Sequence, residues 1–323
     1  MRRVLLLATG DLIAWSLRTP GAAVATGRDL LAELPREMSG VTVVAEDVSA
    51  EPSWDSSATT MLALARRART AIVDEGFDGV VVSHGLDTLA ESAFLADLLA
   101  GPAVHLGVIV FTGALRCRDD PDPDGPANLA DAITAAASPA LRGSGVLVCL
   151  HGELHAARWA HQVDAVRAPA FSSAPFPVPA RVAGGAVELL APAPPRPPAP
   201  GGEPESDVAL IRTYPGMDPV QLNAVVDAGA RGVVLEGTGR CNLPVTLFAA
   251  IGDLVEWDIP VVVASRCHTG DAPFPDLEQG AGLAAKVGAI GARGLAADKA
   301  RMALMVALGS GGMAAVRDWF SRL

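Results

Sequence analysis

A chain of 323 residues is long enough for one large or two medium-sized domains, each with a buried core. The formal net charge is -11, and no stripe of lysine or arginine is present that could neutralise a phosphate backbone, which argues against nucleic acids and anionic membranes as partners. Half of the residues are hydrophobic but only 4% are aromatic, so the core must consist mainly of alanine, valine and leucine. This composition favours helices packed on a parallel sheet, and the charge favours a small ligand.

The N-terminal segment begins with two arginines and an apolar run that could be mistaken for a signal peptide. Asp11 interrupts this run early and no cleavage site follows, so residues 4–8 are predicted to form a buried strand. No stretch approaches the roughly 18 apolar residues of a membrane helix. The four cysteines form no C-x-x-C pair, which indicates neither zinc nor disulfides and suits a reducing cytoplasm.

Short apolar runs alternate with amphipathic segments in the first half of the chain, a rhythm typical of parallel α/β units. We expect strands at 4–8, 41–45, 79–83, 105–111 and 145–149, and helices at 59–74, 88–100 and 127–137. Ligand sites in parallel sheets lie in the loops that leave the carboxyl ends of the strands. The loops to inspect are therefore those at Thr9, Ser53, His84, Thr112 and Glu236.

A proline-dense segment, LLAPAPPRPPAPGGEPESD at residues 189–207, can hold neither a helix nor a central strand. We therefore predict an N-terminal domain over 1–190, a linker over 191–207 and a smaller C-terminal α/β domain over 208–323. In the C-terminal domain strands are expected at 208–214, 232–235 and 261–264, and helices at 220–228, 247–255, 296–307 and 313–320.

Several motifs follow one another in the order known from one family. LATGDLIA (7–14) and SHGLDT (83–88) are similar to ATGGTIA and HGTDT, the two signatures of the bacterial asparaginase/glutaminase family, and PSWDSS (52–57) resembles its loop for the substrate carboxylate. The matching segments further along are TGALR (112–116), DGPANL (124–129), YPGMDP (214–219), LEGTGRCNLP (235–244) and KARMALMVAL (299–308). The resemblance implies the asparaginase fold: a large N-terminal domain with a mostly parallel sheet flanked by helices, and a smaller C-terminal α/β domain.

This sequence differs from the family at the positions of the catalytic residues. Leu12 stands where the family has its nucleophilic threonine, and Leu86 stands at the first threonine of the second signature, which handles protons together with an aspartate and a distant lysine. Leucine has neither a hydroxyl group to attack a carbonyl nor a proton to relay. The family lysine is also absent from the region 158–166, where the alignment has no unique register. Ordinary asparaginase chemistry is therefore not expected.

The resemblance still implies a pocket for a small amino acid or a derivative. Asp87 corresponds to the aspartate that receives the substrate ammonium, and Ser53 to the serine that holds the α-carboxylate. Four further side chains are expected at the pocket: Leu12, Trp54, Ser83 and Leu86. Neither a cofactor nor a metal ion is implied.

Asp11 replaces the second glycine of the first signature and adds a carboxylate beside the lost nucleophile. One interpretation pairs it with Asp87, so that one carboxyl group holds a proton and the other serves as a base for hydrolysis, elimination or cyclisation without a covalent intermediate. The simpler interpretation is that Asp11 caps a loop or points to solvent. The hydroxyl group of Thr9 is a further candidate nucleophile.

The histidines of the chain are weaker candidates for metal binding or proton transfer. His151 and His155 are expected on two strands around a turn, where a spacing of four does not align two metal ligands. His161 lies near the position of the missing lysine and is a candidate proton carrier, with a solvated loop histidine as the alternative. Cys267 and His268 are adjacent, and adjacent side chains generally point apart, so no dyad is expected.

Three functions stay open at this point. The first is a diverged enzyme that acts on a small amino-acid-derived or peptide-like metabolite by acid/base chemistry. The second is a non-catalytic amino-acid-binding protein or partner subunit, and the third is a residual asparaginase-type amidohydrolase that uses Thr9, Ser83 or an activated water. Family members commonly build each site between subunits, so the resemblance implies a homodimer or homotetramer.

Overall fold

The computed structural model of the protein describes residues 1–19, 21–267 and 283–323. The chain forms two compact units, Met1–Arg196 and Pro197–Leu323. The boundary falls within the proline-rich segment, where residues 190–207 contain no helix or strand. Proline lacks a backbone donor and fixes its own φ angle, which accounts for the absence of regular structure there.

The first unit is built on one large sheet. Its strands are β1 (Arg2–Ala8), β2 (Val41–Asp47), β3 (Gly79–Ser83), β4 (Val108–Thr112), β5 (Val146–Leu150), β6 (Glu153–Ala156), β7 (His161–Gln162), β8 (Phe171–Ser172), β9 (Ala180–Ala183) and β10 (Ala186–Leu189). Eight of them form a sheet in the order β10-β9-β6-β5-β4-β3-β1-β2, and β7 pairs with β8. Strands β1 to β5 pair in parallel, whereas β6, β9 and β10 pair antiparallel with their neighbours.

Helices cover both faces of this sheet. They are α1 (Gly27–Ala32), α2 (Ala58–Val73), α3 (Leu89–Leu99), α4 (Ala103–Leu106) and α5 (Gly125–Ala136). Alternation along β1 sends Leu5 and Leu7 into the cluster that contains residues of α2 and α3, and Val4 and Leu6 into the cluster that contains residues of α1 and α5. Since both faces are buried, the central strands are continuously apolar.

The strand predicted at 105–111 begins later than expected. His105 and Leu106 belong to α4, which starts after Pro102 and closes with a hydrogen bond of 2.8 Å from the Gly107 N–H to the Ala103 carbonyl. A short apolar run cannot distinguish one helical turn from the start of a strand, which explains the error.

The second unit holds a four-stranded parallel sheet in the order β11-β12-β13-β14. Its strands are β11 (Val208–Arg212), β12 (Gly232–Gly237), β13 (Val261–Ser265) and β14 (Ile290–Gly291). Its helices are α6 (Val220–Asp227), α7 (Phe248–Glu256), α8 (Leu283–Lys286), α9 (Ala297–Leu308) and α10 (Met313–Ser321). The predicted fold class, a large mostly parallel α/β unit followed by a smaller α/β unit, is confirmed. No helix in the described parts of the chain is long and apolar enough to span a membrane.

Candidate functional site

The loops after β1, β2 and β3 meet at one edge of the large sheet, because parallel strands bring their carboxyl ends together. The Thr9 hydroxyl donates to the Ser83 carbonyl at 2.7 Å, and the Thr9 N–H donates to Ser83 Oγ at 3.2 Å. The Thr88 hydroxyl donates to the Ser53 carbonyl at 2.9 Å. These bonds join three segments that are distant in sequence into one cluster, and they place Thr9, Ser53 and Ser83 in it.

Asp11 forms the tight turn that follows β1. Its φ angle is 83°, and its carbonyl accepts the N–H groups of both Ala14 and Trp15. Aspartate is one of the few residues that adopts such a left-handed conformation as a single residue. The residue is 4% exposed, with Oδ1 accepting from the Leu12 N–H at 2.9 Å and Oδ2 accepting from the Ser53 N–H at 3.0 Å. Asp11 thus ties the first loop to the second.

Ser53 lies on a single 3-10 turn, Ser53–Asp55, and is 5% exposed. Its Oγ is buried and has no hydrogen-bond partner in the structure. A side-chain carbon at Gly85 would lie 1.9 Å from Asp11 Oδ2 and 2.3 Å from Ser53 Oγ. The two oxygen atoms therefore share the space above the Gly85 α-carbon, and only glycine leaves that space open.

His84 is buried beside this pair of oxygens. Desolvation lowers the pKa of His84, against the opposing effects of its hydrogen bond to Gly85 and the charge of Asp11. Its Nδ1 lies 2.8 Å from the Gly85 carbonyl, so in the neutral ring Nδ1 donates and Nε2 is an acceptor. A cavity of about 30 Å³, lined in part by Thr9, Ser53 and His84, is large enough for a water molecule.

The charges at this edge are negative. Glu51 lines the small cavity, and Asp87 stands exposed on the 3-10 turn Leu86–Thr88. Within the described residues, neither Asp11 nor Asp87 forms an ion pair, and no hydrogen bond joins the two carboxylates. Their pairing as acid and base stays a prediction.

The apolar residues expected at the pocket lie in different surroundings. Leu86 is 7% exposed and packs into the core cluster beneath the site, with its Cδ2 2.8 Å from where a side-chain carbon at Gly113 would lie. Leu12 is half-buried. Trp54 is 59% exposed, and its ring meets that of Trp15 edge-on at 5.6 Å between centroids. Leu86 thus lies beneath the cluster and Trp54 at the surface, while Leu12 is half-buried next to Asp11.

The other histidines lie outside this cluster. His151 occupies the turn between β5 and β6 with φ 51°, while His155 is buried with Nδ1 2.8 Å from Ser173 Oγ. His161 lies in β7, with Nδ1 2.9 Å from the Trp159 carbonyl. His268 lies outside the described residues. No group of three or more histidine, cysteine, aspartate or glutamate side chains in the described ranges is arranged to hold a metal ion.

Sequence reasoning missed two members of the cluster. The sequence places Thr88 only at the start of a helix, but its hydroxyl holds the Ser53 carbonyl. Gly85 is visible as the glycine of the second signature, but that signal does not show which side chains approach it. Its contact with Asp11 and Ser53 is seen only in the tertiary structure.

Comparisons with known proteins agree with this architecture. The family described as "Asparaginase, N-terminal" matches residues 3–195, and "Glutaminase/Asparaginase C-terminal domain" matches residues 207–320. A solved structure, the probable cytoplasmic L-asparaginase from Campylobacter jejuni, superposes with a TM-score of 0.84 at 23% identity and covers 100% of both chains. At this identity the superposition establishes the fold.

Curated relatives are similar over much of the chain. A probable L-asparaginase from Deinococcus radiodurans is 34% identical over 241 residues, which cover 73% of this chain and 72% of that protein. The L-asparaginase of Bacillus licheniformis is 28% identical over 317 residues, with 96% of each chain covered. A glutamyl-tRNA(Gln) amidotransferase component from Methanothermobacter thermautotrophicus is 32% identical over 216 residues, which are 63% of this chain and 48% of that one. The chain belongs to the asparaginase family.

Proposed function

We propose that this protein is an amidohydrolase-like enzyme that acts on a small amino-acid-derived or peptide-like compound by acid/base chemistry, without a covalent threonine intermediate. The observation that carries the proposal is the carboxylate of Asp11. It is buried at the position beside Leu12, it shares the space above Gly85 with the unpartnered Ser53 Oγ, and it has no cationic partner among the described residues. Buried carboxylates are usually paired with a cation, so a buried carboxylate without one is a candidate for function.

Asp11 can act as a general base while it keeps its present contacts. Each of its carboxylate oxygens accepts one N–H group and retains a second lone pair. In the proposed reaction, a water molecule gives a proton to Asp11 as its oxygen bonds to the amide carbon. The carbon–nitrogen bond then breaks, and the proton passes to the departing amine. Asp87 is assigned to the ammonium group of the substrate, because it is an exposed carboxylate at the same loop cluster.

A second candidate is a non-catalytic amino-acid-binding protein or partner subunit. It is favoured by Leu12 and Leu86, which supply no reacting group, and by the two backbone N–H bonds that already hold the Asp11 carboxylate. This candidate requires saturable binding of a small amino acid derivative with no product.

A third candidate, a residual asparaginase-type amidohydrolase that uses Thr9, Ser83 or an activated water, is suggested by the names of the relatives. Its weak point is the nucleophile. Thr9 donates its hydroxyl proton to the Ser83 carbonyl, which cannot take up a proton as a general base would. The structure therefore favours an activated water over Thr9.

We also expect the protein to form a homodimer or homotetramer, from the resemblance to family members that build each site between subunits. Light scattering on the purified protein gives its mass in solution, and a monomer would contradict this expectation.

The experiment for the proposed function is a screen of ammonia release from small primary amides by the wild type, Asp11→Asn and Glu37→Gln. Asn tolerates the positive φ angle but cannot act as a base, so we expect turnover to fall by at least about a hundredfold in Asp11→Asn. Glu37 is exposed and distant in sequence from the cluster, so Glu37→Gln serves as the matched charge control. Turnover that survives in Asp11→Asn would remove Asp11 from the mechanism, and binding without turnover would favour the second candidate.

A further inference from the structure

We infer that Asp11 replaces the carboxylate of the ligand, so that the site takes an amine-bearing amide without an α-carboxylate, and not a free amino acid. This inference rests on the function proposed above, because it concerns the substrate of the same site. Its physical basis is that an anion of the protein already occupies hydrogen-bond donors that would otherwise be available to an anion of the ligand.

The first step of the argument is the hydrogen bond from the Ser53 N–H to Asp11 Oδ2, at 3.0 Å. A hydrogen bond from a backbone N–H group to a carboxylate is charge-assisted and therefore stronger than one between neutral groups. Because a backbone N–H group donates one strong hydrogen bond, a ligand carboxylate could use this donor only by displacing Asp11.

The second step is the space above Gly85. Asp11 Oδ2 and Ser53 Oγ both lie within 2.3 Å of the position that a side-chain carbon at Gly85 would take. A ligand carboxylate directed at Ser53 would therefore meet the Asp11 carboxylate at close range. Ser53 Oγ itself remains without a partner and is nine-tenths buried, so it can still donate to or accept from a neutral ligand group.

The third step is charge. The residues that line the cavities beside this edge include Glu51 and Asp47 but neither lysine nor arginine, and burial keeps His84 neutral. With no cation among these lining residues to offset it, a second carboxylate next to Asp11 is repelled, whereas an ammonium group is attracted to the exposed Asp87. The preferred ligand class is thus a small amine amide.

Calorimetric titration of the full-length protein tests this directly with two probes, L-aspartate and 3-aminopropanamide, which is asparagine without its α-carboxylate. The variants are Asp11→Gly, which removes the internal carboxylate and relieves its positive φ angle, and Glu37→Gln as the charge control. We expect the wild type and Glu37→Gln to bind 3-aminopropanamide at least about tenfold more tightly than L-aspartate. In Asp11→Gly the order should reverse, with affinity for L-aspartate rising at least about tenfold.

The outcomes distinguish failure of this inference from failure of the proposed function. If the wild type binds L-aspartate as tightly as Asp11→Gly does, the inference is overturned while a small-ligand site survives. If the wild type binds neither probe but Asp11→Gly gains L-aspartate binding, the internal carboxylate is confirmed as the block and the proposed enzymatic function loses its support. If no variant binds either probe, both are overturned.

Discussion

Asp97 and Asp11 of the large unit are both almost fully buried, and their surroundings differ. Asp97, on α3, accepts the Val146 N–H at 2.7 Å and forms an ion pair with Arg196, which also donates to the Asp97 carbonyl at 2.8 Å. Asp11 is buried to the same degree but accepts backbone N–H groups only. Removing an unpaired charge from water is costly, so proteins usually pair such groups. The charge of Asp97 is compensated by Arg196, whereas Asp11 has no cationic partner among the described residues.

The largest expected loss of stability follows from removing the carboxylate of Asp97. Asp97→Ala should lower the free energy of unfolding by about 3 kcal/mol, because it leaves Arg196 without its partner and the Val146 N–H without an acceptor. Urea denaturation followed by circular dichroism measures this change. The control is Glu188→Ala, which breaks the exposed pair with Arg181 and should cost less than about 1 kcal/mol. Equal losses in the two variants would mean that Asp97 is not structurally distinct.

The close packing above Gly85 gives the next effect. Gly85→Ala places a carbon atom on top of Asp11 Oδ2 and Ser53 Oγ, and the resulting overlap should cost about 1–3 kcal/mol of stability and weaken ligand binding. Gly252→Ala is the matched control, since no atom lies within 4 Å of its added carbon and it sits inside α7. That variant should gain about 0.5–1 kcal/mol. A Gly85→Ala protein as stable as the wild type would show that the loops can separate.

A smaller difference in stability is expected between two variants that separate the backbone strain at Asp11 from the loss of its carboxylate. Asp11→Ala and Asp11→Gly both remove the acceptor of the Ser53 N–H, but only glycine adopts a φ angle of 83° without strain. We therefore expect Asp11→Gly to be more stable than Asp11→Ala by at least about 1 kcal/mol in thermal unfolding. Equal melting temperatures would indicate that the turn relaxes in the variants.

The smallest effect comes from His84. Burial lowers the pKa of its folded form below the usual value of 6.5, so the unfolded chain binds more protons as the pH falls. The stability contribution is therefore present above pH 6.5 and decreases below it, by up to about 1 kcal/mol at pH 6. Comparing the wild type with His84→Gln between pH 7.5 and 6 measures this contribution. A wild-type loss no larger than that of His84→Gln would contradict the buried, neutral state of His84.

The fold could be predicted from the sequence because its signals are local. The strands at 79–83 and 261–265 are continuous apolar runs bounded by turn residues, and the proline-rich segment contains the boundary between the two units. Where the pattern is ambiguous, as at His105, the sequence predicts a strand and the structure shows a helical turn.

The candidate site could be predicted from the sequence only in part. The loops that form it can be identified from the ends of the strands, but the bond between Asp11 and Ser53 joins residues that are 42 positions apart. The sequence alone does not decide whether Asp11 takes part in acid/base chemistry or caps a loop. In the structure its carboxylate accepts a hydrogen bond from the Ser53 N–H. Exposure of Trp54 likewise depends on how the loops pack, which no local pattern encodes.

The proposal that the protein does not use threonine chemistry is tested most directly by measuring ammonia release from L-asparagine and L-glutamine. The wild type should be assayed beside a variant that restores both signatures, Asp11→Gly/Leu12→Thr/Leu86→Thr. We expect no release above the enzyme-free rate from the wild type, because Leu12 and Leu86 supply no nucleophile and Asp11 repels the α-carboxylate of both substrates. Sustained release by the wild type would contradict this account and would require a nucleophile other than those two positions.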